Sequence, residues 1–199
     1  MKLVLASNNA GKLAELQAMF ASLAVQLVRQ GDLGVPEADE PFRTFVANAL
    51  AKARNAAQHS GLPAVADDAG LCVDAFSGLP GVDTAYYATQ FGYPKGDDWN
   101  VKALLEQMER VGNRRAALVS TLVAVRFPDD PEPLIAVGRV AGQITREPVG
   151  ENGFGFDPVM FIPAFNATFA QLPPEVKNAH SHRGQAAQQM VQLMRERWL

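Results

Sequence analysis

The stretch 63–75 constrains the fold most, because it places two adjacent carboxylates inside an apolar run. Residues 64–66 are Ala-Val-Ala and predict a short buried strand, and residues 71–73 are Leu-Cys-Val and predict a second one. Asp67 and Asp68 lie between them, followed by a glycine two residues later. Side chains alternate between the two faces of a strand, so we expect that Asp67 and Asp68 do not both point into the core.

Two interpretations of this carboxylate pair stay open from these residues alone. A carboxylate beside apolar packing is costly unless something compensates its charge, and carboxylate oxygens suit a hard divalent cation such as Mg²⁺. Asp and Gly are also common turn residues, so a solvated turn explains the pair equally well. The rest of the chain has to decide between a metal site and a turn.

The charge balance of the chain disfavours one class of function. Eighteen Lys and Arg residues stand against 21 Asp and Glu residues, and the net charge of -3 offers no basic excess for a nucleic-acid backbone. Cys72 is the single cysteine, which excludes an internal disulfide and a cysteine zinc cluster. The N-terminus lacks the layout of a signal peptide, and no apolar stretch is long enough to span a membrane. We therefore predict a cytoplasmic protein that binds neither nucleic acid nor membranes.

Strand and helix patterns alternate along the first part of the chain. Residues 3–6 form a continuous apolar run, which predicts a strand buried on both faces. Apolar residues at helical spacing predict a helix over 12–22, and a second strand is predicted at 25–28. An alanine-rich helix is predicted over 44–60, ended by Gly61.

The second part of the chain adds a helix at 99–110 and two long β-branched runs at 116–127 and 134–144, which predict a hairpin. A further strand is predicted at 159–162, and a helix from about 184 to the end. Strand–helix alternation followed by a hairpin predicts an α/β fold with a mixed sheet.

Two segments combine glycine with polar or aromatic residues. Residues 7–12 separate a strand from a helix, where backbone N–H groups bind phosphate readily and Lys12 adds charge, although the segment lacks the Walker A spacing. An ordinary strand–helix turn explains it as well. In 150–158, Gly153 and Gly155 flank Phe154 and would let a flat ligand approach the ring, but a bulged turn with Phe154 in the core is the alternative.

The segment 177–184 contains more polar and charged side chains than the two glycine-containing segments. Lys177 offers a point charge and Arg183 a rigid fork of donors, both suited to phosphate. His180 and His182 are spaced like a metal pair on a strand, but no third nitrogen or sulfur ligand lies near in sequence, which argues against zinc.

Taken together, the motifs resemble those of the inosine/xanthosine triphosphate pyrophosphatase family over essentially the whole chain. The matching motifs are Ser7-Asn-Asn-Ala-Gly-Lys12, Thr44-Phe-Val-Ala-Asn48-Ala with Lys52-Ala-Arg54, Ala66-Asp-Asp68, Leu79-Pro-Gly81, Phe154-Gly-Phe-Asp157-Pro and Ser181-His-Arg183-Gly. Each motif is weak alone, but their order and spacing together are specific.

The resemblance implies a fold, a reaction and a partner. The fold is α/β, one domain over residues 1–199 with two lobes around a long mixed β-sheet flanked by helices, and the active site lies in the cleft between the lobes. The reaction is Mg²⁺-dependent hydrolysis of ITP, dITP or XTP to the monophosphate and pyrophosphate. The protein is expected to be a homodimer.

The resemblance also implies roles for particular residues. Asp68 would be the catalytic base, and the metal would lie near Asp68, Glu40 and Asp67. The substrate-binding residues would be Ser7, Asn8, Asn9, Ala10, Gly11, Lys12, Lys52, Ala69, Phe154, Gly155, Phe156, Asp157, Lys177, His182 and Arg183. Arg183 carries only donors, so we also expect it to bind the carbonyl at position 6 of the purine.

Two departures from the family pattern bear on these roles. Ala69 stands where the family commonly has Ser, which removes a hydroxyl from the substrate site. Ala47 stands where it commonly has Glu, so Glu37 or Asp39 could replace Glu40 near the metal. Two other functions stay open: a nucleotide-binding module without turnover, and a Mg²⁺-dependent phosphatase that releases orthophosphate.

Overall fold

The structure is a computed structural model that describes all residues, Met1–Leu199. Its strands are β1 (Lys2–Leu5), β2 (Gln26–Arg29), β3 (Ala64–Val73), β4 (Arg115–Val125), β5 (Leu134–Ile144), β6 (Met160–Ile162) and β7 (Ala167–Thr168). Its helices are α1 (Ala10–Phe20), α2 (Phe45–Ser60), α3 (Asp97–Gln107), α4 (Pro174–His180) and α5 (His182–Arg197). No helix combines the length and the apolar character that crossing a membrane requires.

The seven strands form one sheet in the order β2-β1-β3-β4-β5-β6-β7. β1 runs parallel to β2 and β3, with Val4 opposite both Val28 and Ala64. β6 runs antiparallel to β5 and β7, with Phe161 opposite Gln143 and Thr168. The predicted α/β fold with a mixed sheet flanked by helices is therefore confirmed, and the two β-branched runs are neighbouring strands as expected.

The chain separates into two compact units. The first comprises Met1–Asp68, Ser120–Gly138 and His182–Leu199. Alternate residues of β1 enter different cores within this unit, because Leu3 and Leu5 pack with α1 and α5, while Val4 packs with α2. The helices thus cover both faces of the sheet here, which explains why β1 is a continuous apolar run.

The second unit comprises Ala69–Val119 and Arg139–Ser181. Its core joins Leu71 and Val73 of β3 with Leu104 and Met108 at the end of α3 and with Phe169. The active-site cleft expected from the family resemblance stays a prediction.

Local sequence signals account for the helix ends in the first unit. α2 follows Thr44 and ends at Gly61, whose φ of 67° is in the left-handed region that favours glycine. α1 begins at Ala10, earlier than predicted, because the Asn9 side chain accepts a hydrogen bond from the Lys12 N–H and caps the helix.

The prediction of two short strands around a break at the carboxylate pair is wrong. β3 is one strand of ten residues, and Asp67 and Asp68 lie inside it. Both are buried, with 1% and 6% of their surface exposed, so the expectation that only one enters the protein interior is also wrong. The strand continues because cationic side chains meet each carboxylate, as described below. No sequence pattern predicted α4, β7 or the start of α5 at His182.

Candidate active site

The alternation of β3 sends the two carboxylates to opposite faces of the sheet. Val65 packs in the core formed with α1 and α5, whereas Ala64 and Ala66 pack in the core formed with α2. Asp67 shares the face of Val65, and Asp68 shares the face of Ala66, because side chains two residues apart point the same way. Each carboxylate therefore meets a different set of partners.

Both carboxylate oxygens of Asp67 are bound by donors. Ser120 Oγ donates to Oδ1 at 2.6 Å, Arg183 Nε donates to Oδ2 at 2.9 Å, and Lys12 Nζ lies 3.1 Å from Oδ2. Burial raises the pKa of Asp67, but the charges of Arg183 and Lys12 and the Ser120 hydrogen bond outweigh it and hold the pKa well below its usual range. Asp67 is thus a charged anchor for the buried Arg183 and the partly buried Lys12.

Glu15 extends this network from α1. Arg183 Nη1 donates to Glu15 Oε2 at 2.5 Å, so the guanidinium is held between two carboxylates. The two carboxylates and the cations Arg183 and Lys12 sum to zero charge, which lowers the cost of burying them. Burial lowers the pKa of Lys12, and Arg183 and Lys52 lower it further, while Asp67 opposes the shift.

Asp68 has a different environment on the other face. Lys52 Nζ donates to Asp68 Oδ1 and to Glu40 Oε2, each at 2.9 Å. Asp68 Oδ2 is buried and has no hydrogen-bond partner. Burial raises the pKa of Asp68 and Glu40 adds to the shift, while Lys52 opposes it. Burial thus favours a proton on Asp68, and one of its two oxygens makes no hydrogen bond within the protein.

The two lysines converge on one peptide oxygen. The main-chain carbonyl of Asp67 accepts from Lys12 Nζ at 3.3 Å and from Lys52 Nζ at 3.1 Å. Two ammonium groups that meet at the carbonyl preceding Asp68 form a site that attracts a polyanion.

The donor set around Asp68 fits a small, hard divalent cation. The buried Oδ2 of Asp68 lacks a hydrogen-bond partner, and Glu40 and Asp68 both contact the ammonium of Lys52. The two carboxylates could therefore each supply an oxygen ligand. No group of three or more His, Cys, Asp or Glu side chains could hold a metal ion. The arrangement suits a cation that takes its remaining ligands from water and substrate phosphates.

Asparagine side chains hold the acidic segment 31–43 that carries Glu40. Asn48 is buried, and its amide both accepts from the Phe42 N–H at 3.0 Å and donates to the Phe42 carbonyl at 3.1 Å. Asn55 donates to the Pro36 carbonyl at 2.8 Å. Asn8 likewise accepts from Gly31 N–H and donates to Glu37.

We expect Asn48→Ala to destabilise the protein by about 1–3 kcal/mol, because it removes the two hydrogen bonds that the buried Asn48 amide makes to the backbone of Phe42. Asn55→Ala removes one exposed hydrogen bond and is the matched control, with an expected loss of less than about 1 kcal/mol. Urea unfolding of both variants measures the difference. Equal losses would show that Asn48 does not fix this segment.

A second group of predicted residues is brought together in the other unit. Asp157 Oδ2 accepts from the Phe154 N–H at 2.9 Å and from Lys177 Nζ at 2.5 Å, and Lys177 Nζ lies 4.7 Å from the centre of the Phe154 ring. Gly153 has φ 76°, and a Cβ there would lie 2.1 Å from Asp157 Oδ2, so glycine is required. The Gly155 N–H donates to Asp97 Oδ2 at 2.8 Å.

The remaining predicted residues have simpler surroundings. Phe156 is 3% exposed and packs in the core, so its ring is not accessible to a ligand. His182 is buried at the start of α5. The α5 backbone approaches β5 at Gly138, where a Cβ would lie 1.8 Å from the His182 carbonyl oxygen.

Sequence reasoning missed Glu15, Ser120, Asn48 and Asp97 as supports of these groups. Glu15 lies three residues after Lys12 on a predicted helix, so helical spacing could have found it. Ser120 stands in an apolar run that forms β4, and an isolated hydroxyl in such a run is a weak signal. Asp97 binds the backbone of Gly155, 58 positions away, and the sequence carries no local signal for that contact. Asn48 binds Phe42, six positions away, and lies in the motif that begins at Thr44, so its importance had a signal although its partner did not.

A family sequence pattern, curated relatives and solved structures each match nearly the whole chain. The sequence pattern of the Ham1 family matches residues 3–193. The dITP/XTP pyrophosphatase of Paracidovorax citrulli is 78% identical over 198 residues and that of Albidiferax ferrireducens is 75% identical over 199, each covering 100% of both chains. A solved structure of a HAM1 protein from Coxiella burnetii superposes with a TM-score of 0.90 at 41% identity, covering 98% of this chain and 99% of that one.

Proposed function

Because this chain belongs to the Ham1 family, we propose that it hydrolyses deaminated purine nucleoside triphosphates (ITP, dITP and XTP) to the monophosphate and pyrophosphate. The observation that carries the proposal is the buried Oδ2 of Asp68, which has no hydrogen-bond partner, on a carboxylate whose other oxygen binds Lys52. The ammonium groups of Lys12 and Lys52 meet at the main-chain carbonyl of the preceding residue, Asp67. Such a site combines a base with fixed positive charge, which hydrolysis of a phosphate anhydride needs.

The products determine which bond breaks. Formation of the monophosphate and pyrophosphate breaks the anhydride link between the α- and β-phosphates, and in this proposal water attacks the α-phosphorus with pyrophosphate as the leaving group. We assign Asp68 as the base that orients this water and accepts its proton, since its raised pKa favours proton uptake. Lys12 and Lys52 would bind the phosphates, together with the backbone of the segment 7–11 that leads into α1.

We further propose Mg²⁺ as the metal, held by Asp68 and Glu40. It would neutralise negative charge on the phosphates. We do not assign Asp67 as a ligand, because Ser120, Arg183 and Lys12 already occupy its oxygens.

The purine would lie against Phe154, whose ring is positioned by Asp157 and Lys177. Arg183 binds Asp67 and Glu15, so its first role in this proposal is to hold the charged network in place. Recognition of position 6 of the purine by Arg183 stays a prediction, as do the homodimer and the cytoplasmic location.

A nucleotide panel tests the proposed function. Purified protein is incubated with ITP, dITP, XTP, ATP and GTP, and pyrophosphate and orthophosphate are measured with Mg²⁺ and with excess chelator. We expect pyrophosphate from the first three nucleotides, only in the presence of Mg²⁺. Orthophosphate instead would indicate a phosphatase, and binding without either product would indicate a nucleotide-binding module.

A further inference from the structure

The ammonium group of Lys52 occupies the space between the two carboxylates assigned to the metal. It contacts Glu40 Oε2 at 2.9 Å, Asp68 Oδ1 at 2.9 Å and the Asp67 carbonyl oxygen at 3.1 Å. An ammonium has three N–H donors, so these three contacts use its full donor capacity. Lys52 cannot bind a phosphate in this arrangement without releasing at least one of the three oxygens.

We propose that Lys52 acts as a substitute cation that keeps Glu40 and Asp68 together until the nucleotide arrives, so that the enzyme binds the divalent metal only together with the triphosphate. The proposal rests on the proposed function and goes beyond it, because it concerns the order of binding. The Lys52 ammonium would have two positions: it binds the carboxylates of Glu40 and Asp68 in the free enzyme, and the phosphate oxygens once the nucleotide is bound.

The local charges support this order. Two carboxylates and one ammonium sum to a single negative charge, and a doubly charged metal entering beside Lys52 would meet a like charge at short range. A triphosphate carries enough negative charge to attract both cations, and it offers Lys52 new acceptor oxygens. The flexible four-carbon stem of lysine allows this exchange without movement of α2.

Lys12 provides an internal comparison. Its ammonium also lies beside the main chain of Asp67, but its carboxylate partner is Asp67 and not Asp68 or Glu40. Removing Lys12 therefore removes a nearby positive charge without exposing the metal-binding oxygens. Lys52 differs because it both repels the metal and occupies its ligands.

The test measures Mg²⁺ binding to the full-length protein without nucleotide, by isothermal titration calorimetry with MgCl₂. We expect Lys52→Met to lower the Kd for Mg²⁺ at least about tenfold relative to the wild type. Lys52→Arg keeps the charge and should bind as weakly as the wild type. Lys12→Met should change the Kd by less than about threefold, because the two carboxylates stay paired.

A second measurement checks that the gain uses the proposed ligands. In the Lys52→Met background, Glu40→Gln should return the Kd to the wild-type value. Mg²⁺ should also raise the Tm of Lys52→Met more than that of the wild type, since a ligand that binds the native state stabilises it. Lys52→Gln replaces Lys52→Met in all measurements if the latter does not fold.

An equal or weaker affinity for Mg²⁺ in the folded Lys52→Met or Lys52→Gln protein would overturn the proposal. An equal gain in Lys12→Met would also overturn it, because general charge and not occupancy would then control the metal. These outcomes are independent of the nucleotide panel, since neither nucleotide nor turnover enters the measurement.

Discussion

Asp68→Asn is expected to lower kcat for ITP hydrolysis by at least about a hundredfold, the usual scale for loss of a general base. The amide keeps the shape of the side chain but cannot accept the proton of the attacking water. Steady-state kinetics with pyrophosphate detection measures kcat and KM separately.

The fold should survive this substitution, because burial already raises the pKa of Asp68 and so disfavours its charged form in the folded state. Far-UV circular dichroism and urea unfolding of the variant provide the control. A folded Asp68→Asn protein with near wild-type kcat would assign the base to another residue.

Asp68→Asn should lose turnover and keep its fold, whereas Asp67→Asn is expected to destabilise the fold. The expected loss is about 3–5 kcal/mol in the free energy of unfolding. Its carboxylate is the shared partner of Arg183 and Lys12, and removing the charge leaves Glu15 as the one carboxylate of this network against two cations. Urea unfolding at pH 7 measures the loss, with the isosteric Asp68→Asn as the adjacent control. A loss of less than about 1 kcal/mol would show that this network does not stabilise the fold.

The pKa of Asp67 also predicts how the stability difference between the wild type and Asp67→Asn depends on pH. Its pKa is lower in the folded protein than in the unfolded chain, so its ionisation stabilises the fold fully above the unfolded value, about 3.9. The contribution is lost only as the pH falls below that value toward the depressed folded pKa. We therefore expect the stability difference between wild type and Asp67→Asn to be constant from pH 8 to about pH 5 and to shrink under strongly acidic conditions.

Local order along the chain could be predicted from the sequence. The apolar run of β1, the helix α2 between Thr44 and Gly61 and the neighbouring strands β4 and β5 follow from hydrophobic period and turn residues within a few positions. The motifs were also sufficient to place the chain in its family, because their order is a property of the sequence alone.

The different roles of Asp67 and Asp68, a partner of buried charges and a proposed base, could be assigned only from the tertiary structure. In the sequence they are equivalent neighbours, and their alternation predicts only that they face opposite ways. The partners of Asp67 are Ser120, 53 positions away, and Arg183, 116 positions away, and no local pattern specifies either contact.

The residue types available for chemistry can be listed from the sequence, but the fold selects which of the two carboxylates is neutralised. Asp67 has both oxygens bound by a hydroxyl and two cations, whereas Asp68 keeps one buried oxygen without a partner. The two differ because the pKa and reactivity of a buried carboxylate depend on burial and on charges within a few Å. Those charges come from α1, α2 and α5, and only packing of these helices on β3 brings them together.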